Sequence, residues 1–111
     1  MYYHFNQNNS GGSFVINDTG LSDNVIIEAE NANEANKIAE NIGIYFNGCY
    51  KGFDCDCCGD RWYPTCDREG KQEPMIYDKP AKEYTSYWSK HCFIHYKNGV
   101  VEKILYKEEN K

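Results

Sequence analysis

Basic residues are in short supply in this chain: twelve lysines and arginines stand against seventeen aspartates and glutamates, a formal charge of −5. A deficit of that sign argues against a dedicated nucleic-acid binder, which needs cations to neutralise phosphates. Long apolar runs are also missing, and none approaches the roughly 20 residues of a membrane-spanning helix. No charged-then-apolar leader opens the chain, so the expectation is a cytoplasmic protein whose thiols stay reduced. Internal repeats and low-complexity tracts are absent, and 111 residues suffice for one domain with a modest core. A single C-x-x-C knuckle is followed by no second C-x-x-C or H-x-x-H at the separation a zinc finger uses.

What the chain does have is concentrated in one stretch. Five of its six cysteines lie between Cys49 and Cys66, with Cys92 far downstream. Cys55 and Cys58 form the knuckle, Gly59 follows, and Asp60-Arg61-Trp62-Tyr63 comes next. A glycine-backed C-x-x-C aims two thiolates at one point, so Cys55 and Cys58 are the candidate core of a structural zinc site, with Cys49 and Cys66 completing it. Cys57, Cys92, His91 and His95 are alternative ligands, although Cys57 cannot easily join both of its neighbours because adjacent side chains diverge. The competing reading is a set of reduced, inert cysteines. Asp54, Asp56 and Asp60 lack the register of a calcium-binding EF-hand loop.

Periodicity and punctuation outline the fold. Tyr2 to Gln7 and Ser13 to Asn17 read as strands joined by the turn-prone Asn8 to Gly12, a hairpin. Val25 to Glu30 alternates as a strand with one buried face. A helix from Ala32 to Ile42 carries Asn31 as cap, Glu34 as capping-box partner and Gly43 as terminator, with Ala35, Ile38, Ala39 and Ile42 on its buried stripe. Ile44 to Phe46 suggests a short strand, Asp67 to Lys79 a long polar loop, and Pro80 to Lys90 a segment in which Tyr84, Tyr87, Trp88 and His91 fall at helical spacing. Asn98-Gly99 closes a final hairpin; a two-residue turn sets His95 opposite Glu102. The sum is one α+β domain: an antiparallel sheet of about five strands, one main helix on a face, and a long cysteine-rich loop.

Several of these segments resemble a family of small proteins encoded by tailed bacteriophages. The likeness rests on Tyr3-His4-Phe5-Asn6-Gln7-Asn8-Asn9-Ser10-Gly11-Gly12-Ser13-Phe14 and on Cys55-Asp56-Cys57-Cys58-Gly59-Asp60-Arg61-Trp62-Tyr63-Pro64. Ile27-Glu28-Ala29, Glu34-Ala35-Asn36 and Ile44-Tyr45-Phe46-Asn47-Gly48 support it, so it covers residues 2–64 and, more weakly, the last hairpin. The resemblance implies a viral protein acting in the host bacterial cytoplasm and transfers no catalytic residue. Accessory phage proteins often counter host defences, by binding a host protein or by sequestering a nucleotide immune signal.

The residues leave two functional classes open. Arg61 beside Trp62 and Tyr63 can clamp a phosphate while a ring stacks on a base. With Asp60 and the bare backbone of Asn8, Asn9, Ser10, Gly11 and Gly12, they form the candidate pocket of a non-enzymatic protein that captures a small anionic, nucleotide-like ligand. Such a site requires Arg61 and Trp62 to face a cavity open to solvent. The alternative is an interaction protein that blocks a host protein through an acidic face rich in the chain's ten tyrosines. A cysteine nucleophile served by His91 or His95 and oriented by Asp60 matches no known motif.

Overall fold

The strand Asn24–Glu28, β2, is buried on both faces, and the architecture follows from that. Val25 and Ile27 point to one side, Ile26 to the other, and both sides are covered. The computed structural model describes residues 1–8, 16, 20–54, 59–85 and 89–106. Among them a four-stranded sheet runs in the order β1-β2-β5-β6, where β1 is Tyr2–Asn6, β5 is His91–His95 and β6 is Val101–Leu105. The outer pairs are antiparallel, but β2 and β5 are parallel, so the sheet is mixed rather than antiparallel as the sequence pattern suggests. Parallel neighbours need a long crossover, usually helical. Here the crossover contains the helix α1, Ala32–Asn41, which follows β2 directly.

Helix α1 keeps its expected signals. Asn31 Oδ1 accepts the Glu34 N–H at 2.9 Å, while Glu34 Oε1 reaches back to the Glu30 N–H at 3.2 Å. Gly43 at φ 107° lets Ile44 N–H bond Ala39 C=O and Gly43 N–H bond Glu40 C=O, the paired bonds of a Schellman end. Ala32, Ala35 and Ala39 are buried against the sheet; Ile38 and Ile42 are only partly buried at its margin. The helix-side core joins them to Tyr3, Phe5, Val25, Ile27 and Trp62. Ile44 and Phe46 are buried there too, but as irregular chain rather than the expected strand.

The opposite face is covered by the segment 70–85, which is not a plain loop. It forms a two-stranded ribbon, β3 (Met75–Ile76) and β4 (Lys79–Pro80), and then a 3₁₀ turn at Ala81–Glu83. Tyr84 is already extended and His91 opens β5, so no helix carries Tyr84 and His91; Tyr87 and Trp88 lie outside the described residues. Ile26, Ile76, Cys92, Ile94 and Ile104 make the apolar part of this second core.

Two register expectations change. The final turn has three loop residues: Gly99 N–H bonds Tyr96 C=O, Tyr96 N–H bonds Val100 C=O, and Gly99 sits at φ 91°. A type I turn followed by a left-handed glycine shifts the pairing by one residue. His95 therefore faces Val101, and Ile94 faces Glu102. His95 is buried on the helix side, against the Gly20 carbonyl at 2.9 Å, and Glu102 takes the Tyr96 hydroxyl on the other face. At the N-terminus, the described partner of β1 is β2. The expected strand at 13–17 and its turn at 8–12 lie outside the described residues except for Asn8 and exposed Ile16.

Candidate functional site

Asp60, Arg61, Trp62 and Tyr63 are consecutive but do not share one environment. Trp62 is 1% exposed and belongs to the helix-side core. Arg61 is also buried, with Nη1 donating to Gln7 Oε1 at 2.9 Å and Nε to the Tyr45 hydroxyl at 3.2 Å. Its Nε lies 3.8 Å from Asp54 Oδ1, and its backbone N–H donates to Asp54 Oδ2 at 2.8 Å. A cation so enclosed is a structural tie, and the expectation of Arg61 and Trp62 on an open cavity is corrected. The reason is that the carboxylate of Asp54 and the phenol of Tyr45, themselves linked at 2.7 Å, already hold the guanidinium from within the chain.

The expected meeting of Asn8 with this segment does occur, again as a clamp. Asn8 N–H donates to the Arg61 carbonyl at 2.7 Å and Asn8 Nδ2 to the Asp60 carbonyl at 3.2 Å, while Asp60 Oδ1 accepts the Cys49 N–H at 2.9 Å. Asn9, Ser10, Gly11 and Gly12 lie outside the described residues, as do Cys55, Asp56, Cys57 and Cys58. Cys49 sits in the turn 47–52, Cys66 is exposed, and Cys92 is buried. Burial, aided by the nearby charge of Asp23, pushes the Cys92 thiol up to about 12, leaving it a protonated apolar group. Among the described residues no three histidine, cysteine or carboxylate side chains gather where a metal ion could sit.

A concave site lies one residue further on. A cleft of about 520 Å³ opens between Tyr63–Cys66 and the β3–β4 turn, floored by His4, Phe5 and Asn6 of β1. That volume falls in the range of small-ligand and side-chain pockets. One wall is pinned to α1: Asn36 accepts the Thr65 N–H at 2.9 Å and donates to its carbonyl at 3.1 Å, and Asp67 accepts the Ala32 N–H at 2.8 Å. Thr65 Oγ1 is buried without a hydrogen-bond partner among the described residues. The other wall carries strain. Tyr77 holds φ 55° at the first central position of a two-residue hairpin turn, where glycine is usual. Strained backbone of this kind concentrates at working sites.

Tyr77 stands edge-on to the His4 ring at 5.0 Å, yet it and Tyr63 remain 57% exposed. His4 Nε2 lies 2.6 Å from Asn24 Oδ1, which also accepts from Asn6 Nδ2, while Asn24 Nδ2 donates to the Tyr106 hydroxyl. An amide oxygen only accepts, so His4 carries its proton on Nε2, and Nδ1 is left as an acceptor on a ring that lines the cleft. Burial holds the His4 pKa below its ordinary value, against the opposing pull of Asn24 and of the Asp23 and Glu69 charges. Among the described residues the lining carries two carboxylates, Glu69 and Asp78, against one ammonium, Lys71. Of the lining, the sequence singles out Tyr63 as a candidate ligand contact and Cys66 as a candidate metal ligand; His4, Asn6 and Tyr77 carry no such signal, because nothing short of the strand pairing brings them together.

Fold and site together define a small α+β protein whose mixed sheet ends in a strand bordering an aromatic, acid-rimmed cleft. No described helix is long and apolar enough to cross a membrane. The chain belongs to the family described as Domain of unknown function (DUF7296), which matches residues 1–111. No curated protein and no solved structure matches it.

Proposed function

We propose that this is a non-enzymatic, phage-encoded accessory protein that works in the host cytoplasm by binding a host protein through this cleft. The viral origin and location rest on the sequence resemblance. The observation that carries the choice of partner is the cleft itself: two tyrosine rings more than half exposed, rimmed by Glu69 and Asp78, with Lys71 the single lysine among the described lining residues. Exposed tyrosines that lose little freedom on binding anchor protein interfaces, and an acid-rich rim selects a basic partner. Capture of a phosphate-bearing nucleotide is disfavoured, because the arginine it needs is already occupied by Asp54, Gln7 and Tyr45.

The test is affinity capture from host lysate followed by native mass spectrometry. One protein at fixed stoichiometry is expected on the wild type. It should be lost from a Tyr63→Ala, Tyr77→Gly double variant, in which glycine keeps the turn. Release of a molecule of nucleotide mass instead would restore small-ligand capture. A structural zinc on the Cys55–Cys58 knuckle, with Cys49 and Cys66, belongs to the same proposal as a staple for the loop. Elemental analysis should then find about one equivalent, and a chelator should lower the melting temperature. Metal-free protein that melts alike with and without chelator removes it.

A further inference from the structure

The backbone of β1 alternates in its bonding. Met1 C=O accepts from Ala29 N–H at 2.9 Å, and Gln7 N–H donates to Asp23 C=O at 2.7 Å, so the odd-numbered residues exchange bonds with β2. The even-numbered residues turn N–H and C=O outward. At the ends of the strand these are satisfied: Tyr2 exchanges both bonds with Lys71 at 2.8 and 2.9 Å, and Asn8 N–H meets the Arg61 carbonyl at 2.7 Å. Between them, the N–H and C=O of His4 and of Asn6 have no partner among the described residues. The chain from 61 to 71 spends ten residue steps where β1 spends six from Tyr2 to Asn8, so it bows away from the strand. The space so opened is the cleft.

We infer that the cleft takes an extended peptide segment of the partner, bearing a basic side chain, which adds as a short strand to the outer edge of β1; this rests on the partner-binding reading above. Two donor–acceptor pairs about 7 Å apart match the repeat of an extended main chain and of little else. The gap between the two end contacts, about 20 Å at strand rise, admits a segment of a few residues. Charge selects what it carries, since Glu69 and Asp78 outnumber Lys71, and His4 Nδ1 adds an acceptor rather than a donor. The other edge of the sheet makes the contrast: β6 places Lys103 at its centre with Glu102 beside it, the usual guard against strand addition, whereas the middle of β1 has no charged residue or proline.

The test pans a phage-displayed random heptapeptide library against the whole protein and synthesises the best binder. Sequences bearing Lys or Arg should emerge. N-methylation at alternate peptide positions should weaken binding about tenfold, and at the positions between should change it little, as loss of single main-chain hydrogen bonds predicts. Amide exchange at His4 and Asn6 should be fast in the free protein and slowed about tenfold or more by the peptide. Tyr3 and Phe5 should be protected throughout. Asn6→Pro removes an outward donor that the ladder to β2 does not use, and should cost similar affinity; if it unfolds, the N-methyl scan makes the same test from the peptide side. A library that yields no binder overturns the inference. So does a binder that is insensitive to N-methylation and leaves His4 and Asn6 exchanging fast. Should that binder still lose affinity on Tyr63→Ala, the partner-binding reading stands and strand addition alone falls. If the lysate partner is retained by the Tyr63→Ala, Tyr77→Gly variant, the reading itself falls.

Discussion

The two faces of the sheet are held by different chemistry. On the helix side Tyr3, Phe5, Val25 and Ile27 meet small alanines of α1 and the indole of Trp62, and the layer is filled by shape. On the other side Ile26, Ile94 and Ile104 share the space with a buried carboxylate and its donors. Asp23 gathers the Ser89 hydroxyl at 2.6 Å, the Tyr106 hydroxyl at 2.8 Å and the Asn24 N–H at 3.0 Å. Burial pushes the Tyr106 pKa far up, so that phenol stays a donor. An apolar layer fails when volume is lost; a polar one fails when a single acceptor is lost, because several donors are stranded at once. The cleft lies at β1, where the cover of one face and the cover of the other stop short of each other.

The largest effects should fall at Trp62 in the helix-side core and at the buried Arg61–Asp54 ion pair next to it in sequence. Trp62→Ala should cost about 3–5 kcal/mol in chemical denaturation, by lost burial and a residual cavity. Arg61→Ala should cost a similar about 3–5 kcal/mol, because it leaves the fully enclosed Asp54 carboxylate without its cation. Against a typical stability of about 5–15 kcal/mol, either change endangers folding at 37 °C. An Arg61→Ala protein with an unchanged midpoint would mean that the guanidinium is not the tie described above.

Next in size is the polar face. Asp23→Ala should cost about 2–3 kcal/mol, since stranded buried donors cost about 1–3 kcal/mol each and the site relaxes in part. Asp23→Asn, which keeps an acceptor, should recover some of it. If Asp23→Ala is neutral, the two faces do not differ in the way argued. Ile38→Ala is smaller, about 1–2 kcal/mol, below the roughly 2–5 kcal/mol of an enclosed aliphatic side chain, because Ile38 is only partly buried.

How much of this the sequence announces depends on where the partners lie. Helix α1 is legible because Asn31, Glu34 and Gly43 act on neighbours a few residues away. The last hairpin is legible in place but not in register, since Asn98-Gly99 fits a two-residue turn as well as the three-residue one that forms. The parallel β2–β5 pairing joins strands more than sixty residues apart, and nothing in either strand's pattern names its neighbour. Strands of two residues, such as Met75–Ile76, are too short to show a period. Arg61 misleads for the same reason as β5: Gln7, Tyr45 and Asp54, which enclose it, are scattered along the chain. The edge at His4 and Asn6, without backbone partners among the described residues, is made of main chain, and side-chain patterns do not report main-chain hydrogen bonding.

The finest test of the comparison is a slope rather than an offset. His4 borders the cleft but hydrogen-bonds into the polar face through Asn24, so it reports on both. Its pKa in the folded protein is held below the ordinary value of 6.5, first by burial. Between those two values the unfolded chain binds more protons than the folded one, so stability rises with pH across that window. Read downward, stability is lost as pH falls through about 6.5 and stops falling, for this group, below the folded value. His4→Gln keeps an N–H donor for Asn24 and cannot titrate. Melting temperatures measured from pH 7.5 to 5 should therefore fall more steeply for the wild type than for His4→Gln, with the two curves parallel above pH 7. Curves that stay parallel throughout would mean that His4 titrates as it does in the unfolded chain. A peptide seated in the cleft should steepen the wild-type slope, because enclosing the ring adds to the burial that disfavours its charged form.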